Sequence, residues 1–288
     1  RPHFTSDGGT RFRGSNATAH IRRPPLAMAR HRLPRWVERG NHRLPTNPPR
    51  RTSCSTIQIA MSHHFILFDN IHYQYSAERE ALRGVTLRLD HGEKVALVGA
   101  NGAGKSTLLL HANGLLTPSQ GRVVVGGATL TRKTLSVIRQ TVGLVFQNPD
   151  DQLFMPSVEE DVAFGPANMR LTAEEIEERV VRALQAVGAT ELRHRSPHQL
   201  SGGEKRRVAI ATVLAMEPSI LVMDEPTAGL DPRARRQIIT LLRTFAHTAL
   251  IATHDLEMAR ELCPRTVVMH SGRIEADGAT RELLDNTQ

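Results

Sequence analysis

Four groups of residues have the chemistry to act together. The first is Gly99-Ala100-Asn101-Gly102-Ala103-Gly104-Lys105-Ser106-Thr107, which fits G-x-x-x-x-G-K-[ST]. Glycines at this density let successive backbone N–H groups converge on one anion. Lys105 adds a point charge for β- and γ-phosphates, and Ser106 a hydroxyl for Mg²⁺. The second is Asp224-Glu225, two adjacent carboxylates that directly follow the apolar run Ile220 to Met223. Unpaired charges in such a place cost stability. With a phosphate loop in the same chain, they suit Mg²⁺ handling and a general base. The third is a pair of polar residues that end apolar runs, Gln147 after Val142 to Phe146 and His254 after Leu250 to Thr253. The fourth is Leu200-Ser201-Gly202-Gly203-Glu204. Ser201 and Glu204 have the spacing of a capping box. Two glycines in a first turn weaken the helix they open, but they leave N–H groups bare for something anionic. The chemistry indicated is binding and cleavage of a nucleoside triphosphate with Mg²⁺.

The elements that must hold these groups follow from the pattern. Val95 to Val98 is a strand feeding the phosphate loop, and Ser106 to His111 a helix leaving it. Open α/β sheets collect ligands at the carboxyl ends of their strands, where Gln147, Asp224-Glu225 and His254 all lie. Phe65 to Phe68 and Ala81 to Leu89 read as two further strands, with Ile71 to Ser76 between them. That connecting piece holds Tyr73 and Tyr75, the only tyrosines. Either could stack on a purine. From the residues alone, a half-buried strand tyrosine is the simpler reading. Arg122 to Val125 is another strand, and Thr134 to Gln140 a short helix. Helix signals then dominate over about residues 148–200. Thr172 and Glu175 form a capping box, and Ile176, Val180, Leu184 and Val187 recur at helical spacing up to Gly188. This is a helical insert in an α/β domain. The apolar group Leu153, Phe154, Met155, Val158 and Phe164 near its entry is either core or a groove for a partner's helix.

Net charge misleads unless it is located. The 288 residues carry +8, which would suggest a nucleic-acid partner. Residues 1–60 hold 12 arginines, no lysine and two carboxylates, a charge of +10. Residues 61–288 hold 25 basic and 27 acidic groups, a charge of −2. The first sixty residues also contain seven of the sixteen prolines and no apolar periodicity, so they are not expected to form a core. A translated upstream stretch ahead of a start at Met61 fits them best. A transit peptide or a basic arm are the other readings. The expected division is therefore an extension over 1–60 and one domain over 61–288, with no nucleic-acid partner. Cys54 and Cys263 make no disulfide framework, as in a reducing compartment. No apolar run has the length of a membrane span, so membrane association would come through a partner. Adjacent His63 and His64 would point to opposite faces of a strand and are not read as metal ligands.

Taken in order, the phosphate loop, Gln147, Leu200 to Glu204, Asp224-Glu225 and His254 resemble the ATPase subunit of an ABC transporter, from about Phe65 onward. The resemblance implies an α/β P-loop NTPase fold of the ABC type, with an N-terminal antiparallel β subdomain and the helical insert. It implies ATP as substrate and Mg²⁺ as cofactor. ATP is bound by Tyr75, now an adenine platform, and by Gly99, Asn101, Gly102, Gly104, Lys105, Ser106 and Thr107. Ser106, Gln147 and Asp224 serve Mg²⁺. Glu225 is the general base, with His254, Gln147 and Lys105 on the reacting γ-phosphate and water. Ser201, Gly202, Gly203 and Glu204 form the signature that reads ATP held by a second subunit. Asp231 lies on a loop crossing the dimer. Two copies, or this chain and a paralogue, would therefore meet head to tail.

Phe146 to Phe154 and Val158 to Pro166 are similar to energy-coupling-factor importers, above all their cobalt and nickel ATPases. His111 to Leu116 is also similar to them. That likeness implies a transmembrane coupling subunit, a substrate-binding membrane subunit, a place at the cytoplasmic face of the membrane, and uptake of cobalt or nickel. A vitamin or other micronutrient importer using the same ATPase type is the alternative. A soluble ABC ATPase of repair or translation would call for a second module or sustained heptads, and neither is found.

Overall fold

The computed structural model describes residues 65–76 and 79–285. The basic extension, Met61 and the His63-His64 pair lie outside these residues. The main sheet has six strands in the order β10-β9-β3-β8-β7-β6. They are β3 (Lys94–Val98), β6 (Val142–Val145), β7 (Ile220–Asp224), β8 (Thr248–Ala252), β9 (Arg265–His270) and β10 (Arg273–Ala279). β3, β6, β7, β8 and β9 run parallel, and β10 returns antiparallel to β9. β7 and β8 are buried at every residue, as expected of a parallel sheet covered on both faces. This is why their sequences are continuous apolar runs and do not alternate.

A second sheet of four strands, β2-β1-β4-β5, is antiparallel throughout. It comprises β1 (Ile66–Ser76), β2 (Arg79–Leu89), β4 (Gln120–Val125) and β5 (Ala128–Thr129). In β2, Val85, Leu87 and Leu89 are buried while Thr86 and Arg88 are exposed, the signature of a one-sided sheet. One expectation changes here. Phe65 to Phe68 and Ile71 to Ser76 are not a strand and a connection but one strand. Irregular pairing at several points along β1 breaks the alternation that would have revealed it.

Between the two sheets lies α1 (Lys105–Ala112), where Leu108 and Leu109 meet Ile66, Phe68, Leu82 and Leu97. The opposite face of the main sheet is covered by α5 (Gly202–Leu214), α6 (Pro232–Thr244) and α7 (Leu256–Leu262), and by α3 (Val158–Asn168) and α4 (Ala173–Ala186) packed on α5. Two shorter helices, α2 (Leu135–Thr141) and α8 (Thr280–Asp285), complete the described fold. Both capping boxes are formed, Thr172 with Glu175 opening α4 and Ser201 with Glu204 opening α5. The apolar group at the entry to the helical region divides. Leu153 and Val158 are core, whereas Phe154 (63% exposed) and Phe164 (38%) stand outside, edge to face at 5.1 Å. Among the described residues, no helix is long and apolar enough to cross a membrane.

Candidate functional site

The loop from Gly99 to Thr107 lies where β3 hands over to α1, and its glycines are needed for different reasons. A Cβ on Gly99 would sit 2.1 Å from the Met269 carbonyl oxygen, and one on Gly104 2.7 Å from that of Ala81. These two allow close packing of the loop against its supports. Gly102 has open space where a Cβ would be, but its φ of +81° is one that L side chains rarely adopt. The helix behind starts without a side-chain cap, so its first N–H groups remain for an anion. The Lys105 ammonium donates to the carbonyls of Gly99 at 2.6 Å and Ala100 at 3.1 Å. It is thereby fixed at the mouth of the loop.

That mouth opens into a cleft of about 630 Å³ lined by Tyr75, Asn101, Gly102, Gly104, Lys105, Ser106, Thr107, Gln147, Asp224 and Glu225. Residues separated by 150 positions in sequence thus converge, because β1, β3, β6 and β7 all end on this side. Tyr75 is 50% exposed, with its hydroxyl 3.2 Å from Thr107 Oγ1 and its ring edge-on to Tyr73 at 5.0 Å. It is therefore a presented ring, tied to the phosphate loop, and not a half-buried strand residue.

Two neighbouring residues of a strand normally point to opposite faces, yet Asp224 and Glu225 both line the cleft. The reason is local. β7 ends at Asp224, and Glu225 takes a left-handed φ of +51°, held by its N–H to the Ala252 carbonyl at 2.9 Å. For a residue with a side chain this conformation costs about 1 kcal/mol. Such strain concentrates at functional sites. Burial pushes the Asp224 carboxyl up from its ordinary value, opposed by a hydrogen bond from Ser106 and by the charges of Lys105 and Arg206. The Ser106 hydroxyl, the Asp224 carboxylate and the Gln147 amide oxygen offer hard oxygen donors on one side of the cleft, a set that suits Mg²⁺. Glu225 is 7% exposed and reaches out of the sheet to His254, which is itself exposed.

Ser201, Gly202, Gly203 and Glu204 do not line this cleft. They open α5, where Ser201 accepts from the Glu204 N–H, and the Glu204 carboxylate takes the Ser201 N–H at 2.8 Å and hydroxyl at 2.9 Å. Glu204 is thus occupied in starting the helix. A Cβ on Gly202 would meet nothing within 4 Å, and one on Gly203 only ordinary contact with Leu230 at 3.5 Å. Neither glycine is demanded by packing among the described residues. Asp231 is likewise away from the cleft, capping α6 through the N–H groups of Arg233 and Ala234. These bonds hold its carboxyl below the ordinary value.

One participant was not anticipated from the residues. Arg206, on α5, is 6% exposed and donates to the Phe146 carbonyl at 3.1 Å, and its charge acts on both Asp224 and Glu225. In sequence it sits in Lys205-Arg206-Arg207, which reads as a solvated face. The available signal was its nearness to Val208 to Val213, a run buried at every position, so that this helix is covered nearly all round.

Comparison with known proteins bears on this site. The family described as ABC transporter matches residues 82–228. A Geobacter sulfurreducens protein that carries the name of an ABC transporter ATP-binding protein is 58% identical over 228 residues, which is 79% of this chain and 92% of that protein. The energy-coupling factor transporter ATP-binding protein EcfA1 of Methanospirillum hungatei is 46% identical over 225 residues, 77% of this chain and 81% of that one. Among solved structures, cbiO1 from Clostridium perfringens, part of the ABC transporter complex cbiONQ, is similar with a TM-score of 0.69 and 41% identity, covering 77% of this chain and 91% of that chain.

Proposed function

We propose, from the premise that this chain belongs to the ABC transporter family and is an ATP-hydrolysing subunit of such a transporter, that it powers an importer of the energy-coupling-factor type. The similarity to cbiO1 of the cbiONQ complex carries this reading, and the EcfA1 relative supports it. The cargo we assign is cobalt or nickel, with a vitamin or other micronutrient as the alternative. The chain would sit at the cytoplasmic face of the membrane, held by a transmembrane coupling subunit and a substrate-binding membrane subunit.

The geometry supports a division of labour. Tyr75 stacks on adenine. The N–H groups of the loop and of the α1 terminus surround the phosphates, and Lys105 neutralises the β- and γ-oxygens. Ser106, Asp224 and Gln147 would hold Mg²⁺, which when bound supplies charge neutralisation on the phosphate oxygens. Glu225 accepts a proton from the attacking water, while His254 fixes the carboxylate and meets the γ-phosphate. The signature, Ser201 to Glu204, serves ATP held on a second subunit, with Asp231 beside the crossing. A signature whose glycines have no packing role among the described residues is the observation that favours this head-to-tail pair. Nucleotide then acts as the bridge, and loss of the γ-phosphate opens the pair.

The test is reconstitution. The chain is co-expressed with the membrane proteins encoded beside its gene, purified as a complex and placed in liposomes containing ATP. Accumulation of Co²⁺ or Ni²⁺ that needs ATP and is lost in Glu225→Gln is the expected result. A complex that hydrolyses ATP and takes up a vitamin but neither metal would assign the cargo to the alternative.

A further inference from the structure

Phe146, the residue before Gln147, has both of its backbone polar groups held by side chains. Its carbonyl accepts from Arg206 Nη1 at 3.1 Å, and its N–H donates to Gln152 Oε1 at 3.1 Å. Gln152 is itself anchored, its amide donating to the Ala209 carbonyl and to Thr212 Oγ1, each at 2.7 Å. All three anchors, Arg206, Ala209 and Thr212, belong to α5, the helix that Ser201 to Glu204 open. The end of β6 is therefore bolted to α5 through one peptide on either side of Phe146. Burying a guanidinium to hold a single carbonyl is costly, and the Arg206 Nε is also buried without a hydrogen-bond partner among the described residues. A methionine of similar length would fill the space with less cost, so stability does not account for this residue. The charges of Asp224 and Glu225 offset part of the burial cost of its guanidinium.

We infer that Arg206, together with Gln152, is a positioning residue for hydrolysis: it fixes Phe146 so that Gln147 enters the cleft at a set place beside Asp224 and Glu225. This rests on the reading of Gln147 as a residue on the Mg²⁺ and the attacking water. Arg206 lines no part of the cleft and is not a catalytic residue. Because its effect passes through Gln147, it should govern turnover and not nucleotide affinity. A small displacement of a reacting group can cost on the order of 100-fold in rate.

The experiment is steady-state ATPase kinetics on the full chain carrying Arg206→Met, Arg206→Lys, Gln152→Met, Gln147→Ala, and Arg206→Met with Gln147→Ala. The expected result is a kcat at least about ten-fold lower in Arg206→Met, with the KM for ATP within about two-fold of the parent. Arg206→Lys, which keeps the charge and a donor, recovers part of the rate. The double variant is no slower than Gln147→Ala alone. Multiplied losses in the double variant would overturn the inference, as would a parental kcat in Arg206→Met. A slow Gln147→Ala with a parental Arg206→Met removes the positioning role only. A parental Gln147→Ala removes the reading of Gln147 as well. If Arg206→Met does not fold, Gln152→Met releases the peptide on the other side of Phe146, and the same kcat loss at unchanged KM is required of it.

Discussion

Glu225 Oε2 lies 2.8 Å from Nδ1 of His254 and 3.3 Å from the backbone N–H of the same residue. A carboxylate can only accept from this ring, so Nδ1 is the nitrogen that carries a proton in this contact. A base gripped twice by one neighbour is fixed in direction. His254→Ala should therefore lower kcat on the order of 100-fold while changing ATP affinity little. Nucleotide titration alongside turnover measurement checks this, and a change confined to affinity would remove the role.

Glu225→Gln keeps the shape of that side chain and removes its basicity. Hydrolysis should fall by roughly 10²–10⁴-fold. If nucleotide bridges two subunits, ATP with Mg²⁺ should then hold the variant as a dimer that ADP does not sustain. Light scattering of the purified chain provides the measurement, and a monomer at saturating ATP would refute a head-to-tail pair of two copies of this chain.

Gly202→Ala separates folding from assembly. The added methyl group meets open space among the described residues, and alanine is the better helix former, by less at this first position than the roughly 1 kcal/mol of a helix interior. Thermal stability should stay level or rise, while ATPase activity and ATP-driven dimerisation are lost. A variant with parental activity would show that nothing approaches this turn closely.

Asp224 should show a conflict between stability and function. Its folded pKa is raised by burial, so the folded state binds more protons than the unfolded state over the window above the ordinary carboxylate value. Stability contributed by this group accordingly falls as pH rises through that window. Asp224→Asn should raise the melting temperature at neutral pH by about 2–4 °C, equivalent to roughly 1 kcal/mol in a domain of this size, and flatten that part of the pH dependence. The same variant should lose Mg²⁺-dependent hydrolysis. Melting curves from the ordinary carboxylate value of 3.8 up to neutral pH, with and without the substitution, decide it.

What could be read in the sequence was whatever is written locally. The phosphate loop, both capping boxes and the largely apolar strands β7 and β8 depend on neighbours a few residues away. So does the α/β class, which the chain adopts. Features that depend on distant partners were hidden. Glu225 reaches the same cleft as Asp224 only through a backbone turn that no residue type announces. Arg206 is buried in a helix turn whose composition suggests solvent, because its partners are a carbonyl 60 positions earlier and carboxylates about 20 positions later. Tyr75 looked like a strand residue, and it is one. What the pattern could not convey was that β1 runs past the edge of the core and presents the ring to the cleft.

The phosphate loop also depends on a remote support. The N–H of Gly272 donates to the Ala103 carbonyl at 2.9 Å, the Gly272 carbonyl accepts from the N–H of Arg83 at 2.8 Å, and Gly99 lies against Met269. The turn between β9 and β10 thus closes the loop from behind, about 170 positions later in the chain. A ribosome makes the loop long before it makes this turn. At roughly 5–20 residues per second, the interval is on the order of ten seconds or more. Through that time the triphosphate site exists as sequence but lacks its backing, so a nascent chain does not acquire its full grip on nucleotide until the region around residue 272 has emerged.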